Sequence, residues 1–191
     1  MISPAVVKLR LNVDERHFLM LLPEKRYDEL FQCIEENREF LANWLPWARD
    51  VTRTAETRRF LLNNLQSYRS GKGFSFAILK GLDVVGMIGF HGFDKQNHVT
   101  SLGYWLAESA TGHGLMTRCV LRCIEYAIAE RNMNRLYVRC AVGNDKSNAI
   151  PLRLGFFYEG YQREAEWLNG EFVDLAVYSL LAREWKARRE Q

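Results

Sequence analysis

The chain lacks the sequence features of secreted, membrane-spanning and disulfide-stabilised proteins. Its first residues do not combine a charged segment with an apolar one, as a secretory signal does, and no uninterrupted apolar run approaches membrane-spanning length. The 191 residues include only four cysteines and no Cys-x-x-Cys pair, so we expect neither a bound metal nor a disulfide. These absences predict a cytoplasmic protein with no membrane partner.

A strong net charge and an interdomain linker are also missing. The formal net charge of +3 is too small to favour direct binding of nucleic acid. No repeat or low-complexity tract interrupts the chain, and its hydrophobic share of 48% is ordinary for a globular protein with a buried core. We therefore expect residues 1–191 to form a single domain.

Hydrophobic periodicity predicts strands that are interleaved with helices. Alternation of apolar and polar residues marks strands, whereas apolar residues at every third or fourth position mark helices. The predicted helices span residues 27–36, 55–68 and 116–131, and the predicted strands span residues 6–13, 16–22, 74–80, 84–90, 99–106, 136–142, 161–168 and 172–181. Between the first two helices we expect an aromatic loop that contains Phe40, Trp44 and Trp47. The order of elements predicts an α/β fold.

A glycine-containing turn stands between the strand that ends at Leu106 and the helix that follows. It reads Thr111-Gly112-His113-Gly114-Leu115-Met116-Thr117. The backbone N–H groups at a helix N-terminus lack partners within the helix, and the helix dipole adds partial positive charge there. Glycine permits close approach of a ligand and positive φ angles. The turn therefore predicts a site for a phosphorylated ligand.

Two further motifs follow in the second half of the chain. Asn144-Asp145-Lys146-Ser147-Asn148 leads into an apolar helical segment and Gly155-Phe156, and Asn169-Gly170 is a strong hairpin signal. In this order and spacing, the three motifs resemble the GNAT superfamily of acetyl-CoA-dependent N-acetyltransferases. The resemblance is greatest to the ribosomal-protein-serine (RimJ/RimL-like) group and covers about residues 15–185. It implies an α+β domain with a mixed, mostly antiparallel sheet flanked by helices.

The resemblance also implies where acetyl-CoA binds. The backbone after the strand would serve the pantetheine, and the turn would hold the pyrophosphate. Thr111 stands where the family usually has Gln or Arg, which removes a long polar side chain, although its hydroxyl can still cap the turn. The implied cofactor-binding residues are Tyr104, Trp105, Leu106, Thr111, Gly112, His113, Gly114, Leu115, Met116, Thr117, Asn144 and Ser147.

Catalytic roles also follow from the resemblance. Many members carry a tyrosine that protonates the departing thiolate, four residues before Gly-Phe, but this chain has Pro151 there. Ser147 matches the serine of RimL-like enzymes and is either that acid, the N-cap of a helix that begins near Asn148, or both. Glu166 is the expected base. Glu164 is the alternative, because residues two apart on a regular strand share a face.

Trp44 and Trp47 match the aromatic segment that borders the acceptor cleft in the family. The activity that the resemblance implies is direct transfer of acetyl from acetyl-CoA to a primary amine, foremost the α-amine of a protein such as a ribosomal one. Two alternatives stay open: a polyamine or aminoglycoside acceptor, and a non-catalytic CoA-binding protein. Assembly as a homodimer is open as well.

Overall fold

The computed structural model describes residues 9–189, in which one mixed sheet of eight strands forms the centre. Its order is β1-β2-β3-β4-β5-β6-β8-β7. The strands are β1 (Arg10–Asn12), β2 (His17–Met20), β3 (Phe74–Lys80), β4 (Asp83–Asp94), β5 (Val99–Leu106), β6 (Arg135–Ala141), β7 (Phe157–Leu168) and β8 (Glu171–Leu181). Neighbours are antiparallel except β5 and β6, which are parallel. The predicted mixed, mostly antiparallel sheet is confirmed.

Seven α-helices in the described part of the chain flank this sheet. They are α1 (Tyr27–Glu36), α2 (Arg38–Ala42), α3 (Trp47–Asp50), α4 (Thr54–Arg69), α5 (Leu115–Ala129), α6 (Asp145–Arg153) and α7 (Ala182–Arg189). The expected aromatic loop was therefore wrong in part, because it contains the short helices α2 and α3. Pro46 precedes α3 as its N-cap residue, a place where proline costs no helical hydrogen bond.

The sheet separates two apolar clusters. On one face α5 buries Cys119, Val120 and Ile124 against residues of the central strands such as Leu102 and Leu136. On the other face α1 and α4 bury another cluster, which includes Leu30, Leu61, Leu79 and Met87. Every cysteine of the chain is buried and free, as expected of small apolar residues in a core. Packing in the two clusters fixes the helices against the two faces of the sheet.

The parallel pair β5–β6 is joined along only part of its length. Val99 to Leu102 pair with Arg135 to Val138, after which β5 continues to Leu106 and β6 to Ala141 without further pairing among the described residues. On their outer sides both strands stay paired, β5 with β4 and β6 with β8. The two strands therefore splay apart, and backbone N–H and C=O groups face the gap.

The predicted strand over residues 6–13 begins outside the described residues, which show β1 from Arg10. The predicted hairpin around Asn169-Gly170 is present, and its first strand begins earlier than expected, at Phe157. Within the part of the chain that the structure describes, no helix is both long enough and apolar enough to cross a membrane.

Candidate active site

A cleft of about 1820 Å³ opens at the splay between β5 and β6. One end lies at the N-terminus of α5, and the other lies beneath the α2–α3 segment on the opposite face of the sheet. We call the first end the helix end and the second the aromatic end. A cleft that passes between two strands suits an elongated ligand, because its walls offer backbone hydrogen bonds along the way.

The helix end is built by the glycine-containing turn. Gly114 is the N-cap residue of α5 and has a φ of 69°, in the left-handed region that favours glycine. Gly112 also has a positive φ of 82°. The hydroxyl of Thr111 donates to the carbonyl of Glu108 at 2.7 Å, so this residue caps the preceding turn, as the sequence allowed. The first N–H groups of α5 have no intrahelical acceptors, and their residues, Leu115, Met116 and Thr117, line the cleft.

Basic side chains lie around the same end. Arg118, Lys146 and Arg153 line the cleft there. Arg153 donates to the hydroxyl of Thr117 at 2.9 Å, and Arg118 donates to the carbonyl of His113 at 3.1 Å. Cationic groups beside a helix N-terminus favour a ligand that carries phosphate groups.

The motif Asn144-x-x-Ser147-Asn148 fastens α6 to the end of β6. The side chain of Asn144 accepts a hydrogen bond from the N–H of Ser147 at 3.1 Å and is the N-cap. Asn148 donates to the carbonyls of Ala141 and Asn144, at 2.9 and 2.8 Å, and accepts from the Tyr178 hydroxyl at 3.0 Å. The interpretation of Ser147 as a helix cap was wrong, because α6 begins earlier, at Asp145.

Ser147 instead closes a small polar cluster across the splay. Its hydroxyl lies 3.2 Å from the Cys140 sulfur of β6, and its carbonyl accepts from the Tyr104 hydroxyl of β5 at 3.3 Å. Burial raises the pKa of the Cys140 thiol and that of Tyr104. Both groups therefore stay protonated near neutral pH and are not nucleophiles there.

Glu166 and Glu164 lie in different surroundings although they are two residues apart. Between Gln162 and Glu166, three residues of β7 stand opposite the single residue Asp174 of β8. Glu164 adopts a positive φ of 49° there, and its N–H donates to the Asp174 carboxylate at 2.8 Å. Glu166 lines the cleft, whereas Glu164 is absent from its described lining. The expectation of a shared face was wrong because a bulge interrupts the alternation.

The aromatic end contains Trp44 and Trp47, both of which line the cleft and are partly exposed. The ring of Trp47 lies 6.1 Å from that of Trp105 on β5, centroid to centroid. The hairpin tip meets this segment, since Asn169 donates to the carbonyl of Asn43 at 3.0 Å and accepts a hydrogen bond from Arg49. The β7–β8 hairpin and the α2–α3 segment together enclose this end.

Sequence reasoning did not single out three polar residues at the aromatic end. His91, Ser101 and Arg139 all line the cleft. They belong to three different strands, β4, β5 and β6, so no local motif marks them. The residues predicted to bind acetyl-CoA, to bind the acceptor or to act in catalysis all line the cleft, with two exceptions. The side chains of His113 and Glu164 lie outside the described lining of the cleft.

Comparison with known proteins agrees with this geometry. The family model "Acetyltransferase (GNAT) domain" matches residues 17–157. YdaF of Bacillus subtilis (strain 168), named provisionally as a ribosomal N-acetyltransferase, is 34% identical over 178 residues, which cover 93% of this chain and 97% of YdaF. The ribosomal-protein-serine acetyltransferase of Escherichia coli (strain K12) is 30% identical over 169 residues, or 88% of this chain and 94% of that protein.

A solved structure leads to the same family. The ribosomal L7/L12 α-N-protein acetyltransferase RimL, in complex with coenzyme A through a disulfide to a cysteine, superposes with a TM-score of 0.88 at 27% identity and covers 92% of this chain and 99% of RimL. The splayed strands, the glycine turn at a helix N-terminus and these similarities agree. The chain belongs to the GNAT family and is an N-acetyltransferase.

Proposed function

We propose that the protein transfers the acetyl group of acetyl-CoA directly to the α-amine of a protein N-terminus, in the cytoplasm, and that a ribosomal protein supplies this N-terminus. The observation that carries the proposal is the cleft, which leads from a cationic helix N-terminus, through splayed strands, to a carboxylate and two tryptophans. The similarity to ribosomal-protein acetyltransferases over most of the chain supports the acceptor class.

In this proposal the helix end holds the cofactor. The N–H groups after Gly114 bind the pyrophosphate, and the backbone groups of the Tyr104–Leu106 segment that face the splay bind the pantetheine arm. Such an arrangement places the thioester near the splay, beside Ser147. Acetyl-CoA supplies the activated acetyl group, and this chain supplies the orientation and the proton transfers.

Glu166 and Ser147 divide the proton transfers. An amine arrives as an ammonium ion and must lose a proton before its nitrogen can attack the thioester carbon. Glu166 takes this proton directly or through water. As the C–S bond breaks, the Ser147 hydroxyl protonates the thiolate, a task that Pro151 cannot perform. The raised pKa of the Cys140 thiol speaks against an acetyl-cysteine intermediate and for direct transfer.

An α-amine suits this carboxylate better than a lysine side chain does. The α-amino group has a pKa of about 8, against about 10.4 for lysine, so deprotonation of lysine near neutral pH costs roughly 3 kcal/mol more. Arg139 also lines the aromatic end, where a cation disfavours polycationic acceptors such as polyamines. A peptide N-terminus carries one positive charge and an extended backbone that can lie between Trp44 and Trp47.

The decisive experiment measures release of free CoA from acetyl-CoA with three kinds of acceptor: peptides with free N-termini, spermidine and an aminoglycoside. We expect turnover with peptides and with the N-terminal segment of a ribosomal protein. N-terminally blocked peptides that contain lysine are the matched control and should be inactive. Turnover confined to the small amines contradicts the proposed acceptor, and binding of CoA without turnover of any acceptor contradicts catalysis.

Two variants test the proposed roles of Glu166 as base and Ser147 as acid. Glu166→Gln keeps the shape and removes the base, so its rate should fall by about 10²–10⁴-fold at neutral pH and recover partly at high pH, where the amine is already neutral. Ser147→Ala should slow transfer without that recovery. Glu164→Gln is the matched control and should keep the wild-type rate. A large loss in Glu164→Gln, with none in Glu166→Gln, contradicts this assignment.

A further inference from the structure

A β-bulge in β4 places His91 at the aromatic end of the cleft. Phe90 pairs with Leu102 and Phe93 with Thr100, so His91 and Gly92 together stand opposite the single residue Ser101 of β5. Such a bulge bends a strand and redirects its side chains, and bulges occur often beside active sites. The imidazole consequently lies among the residues that line the cleft.

The ring lies over the point where β5 separates from β6. A Cβ placed on Gly103 would lie 2.4 Å from Nε2 of His91, so the imidazole occupies the space that any larger residue at Gly103 would need. Gly103 is also the first residue of β5 beyond its last pair with β6. Nε2 therefore lies at the mouth of the splay, where the proposed function places the thioester.

A hydrogen bond on the other ring nitrogen orients the imidazole. Nδ1 of His91 lies 3.2 Å from the Ser101 hydroxyl oxygen. When Nδ1–H donates to that oxygen, Nε2 keeps a free lone pair directed at the splay. This tautomer is the one that accepts a proton from a group in the cleft.

The surroundings keep the ring neutral. Part of the imidazole remains open to the cleft, yet desolvation by the surrounding protein lowers the pKa of His91, and the nearby Arg139 guanidinium lowers it further. The other ionisable groups that line this half of the cleft are Glu56 of α4, which pairs with Arg53, and Glu166 of β7. A neutral imidazole at neutral pH is a competent base.

We propose that His91 is a second catalytic base, which takes the proton that the acceptor nitrogen loses after it has bonded to the acetyl carbon. The inference rests on the proposed function and completes its proton balance. An ammonium ion loses two protons on its way to an amide N–H. The first passes to Glu166 before attack. After the N–C bond has formed, the second passes to Nε2 of His91, and the C–S bonding pair leaves with the sulfur. Ser147 protonates the thiolate and regains a proton from water, so that one proton in all is released.

The two bases differ in their response to pH, and this difference provides the test. High pH supplies a neutral amine and so replaces the first base, but it does not replace the second. His91→Gln should therefore lose at least about 10²-fold in kcat and show no recovery at high pH, unlike Glu166→Gln. In the wild type, the slope of log kcat/KM against pH should be steeper by one unit below the pKa of His91 than above it. His91→Gln should lack this change of slope.

Controls separate catalysis from folding and from the proposed function. His98→Gln is the matched control, because His98 lies in the β4–β5 turn and bonds the Asn132 carbonyl. His91→Gln and His91→Asn must keep the wild-type melting temperature and CoA affinity. An NMR titration of the His91 imidazole measures its pKa without turnover, and a value above 7 overturns the inference. Wild-type kcat in both His91 variants, or their recovery at high pH, also overturns it, whereas an inactive wild-type protein overturns the proposed function itself.

Discussion

A negative charge introduced at Gly114 tests the proposed phosphate site. Gly114→Glu places a carboxylate at the N-terminus of α5, where the pyrophosphate is proposed to bind. With two phosphate charges at about 6 Å and an effective dielectric constant between 20 and 80, Coulomb repulsion amounts to about 1.4–5.5 kcal/mol. CoA affinity should therefore fall by about 10-fold to 10⁴-fold.

The backbone at this position adds a separate effect that needs its own control. Gly114 has a φ of 69°, and any residue with a Cβ loses roughly 1–2 kcal/mol of stability in this conformation. A Cβ there would also lie 3.4 Å from a guanidinium nitrogen of Arg118. Gly114→Gln carries the same strain and nearly the same bulk as Gly114→Glu without the charge. The difference between the two variants is therefore the electrostatic contribution.

Isothermal titration calorimetry with CoA measures this difference directly. It should shrink from 0.1 M to 1 M salt, because the Debye length falls from about 10 Å to about 3 Å. Gly81→Glu, in the β3–β4 turn with a φ of 61° and an open Cβ position, should lose stability and keep its CoA affinity. Equal affinities of Gly114→Glu and Gly114→Gln at low salt would falsify the placement of the pyrophosphate.

Three further outcomes are expected. Trp47→Ala should raise the acceptor KM several-fold and leave CoA affinity unchanged in calorimetry; equal loss of both, with a lower Tm, would make Trp47 a core residue. Asn144→Ala should cost about 1 kcal/mol in denaturant unfolding as a lost helix cap, whereas Ser147→Ala should not. Arg135 holds the pKa of Glu159 at about 2, below the pKa of about 4.3 that a glutamate has in the unfolded chain. The stability of the wild type should therefore decline as the pH falls from about 4.3 through about 2, and it should decline less in Glu159→Gln.

The prediction of the pyrophosphate turn succeeded as far as local structure is concerned, because a strand, two glycines and an amphipathic helix are local signals. Gly114 has the positive φ that its residue type permits, and α5 begins at Leu115, one residue before the predicted start. The Asn169-Gly170 hairpin is equally local, since two residues with positive φ make the turn. At both turns the residue types of the turn itself were sufficient to predict its backbone conformation.

The role of Ser147 could not be predicted from neighbouring residues alone. Serine and asparagine both cap helices well, so the choice between Asn144 and Ser147 depended on where α6 begins. The helix begins at Asp145, and Asn148 holds it in place by bonding the Ala141 carbonyl at the end of β6 and the Tyr178 hydroxyl of β8. A contact between elements thus decided the role of each residue in one short motif.

Residues close together in the chain were sufficient to predict most strands and the longer helices, the conformation of the glycine-containing turn and the motifs that indicated the family. Which side chains share the cleft depends instead on contacts between distant segments. Bulges in β4 and β7 bring in His91 and exclude Glu164, and the splay that admits a ligand arises where β5 and β6 cease to pair. Register and bulges are set by cross-strand pairing between distant segments, which a periodic pattern along one strand does not contain.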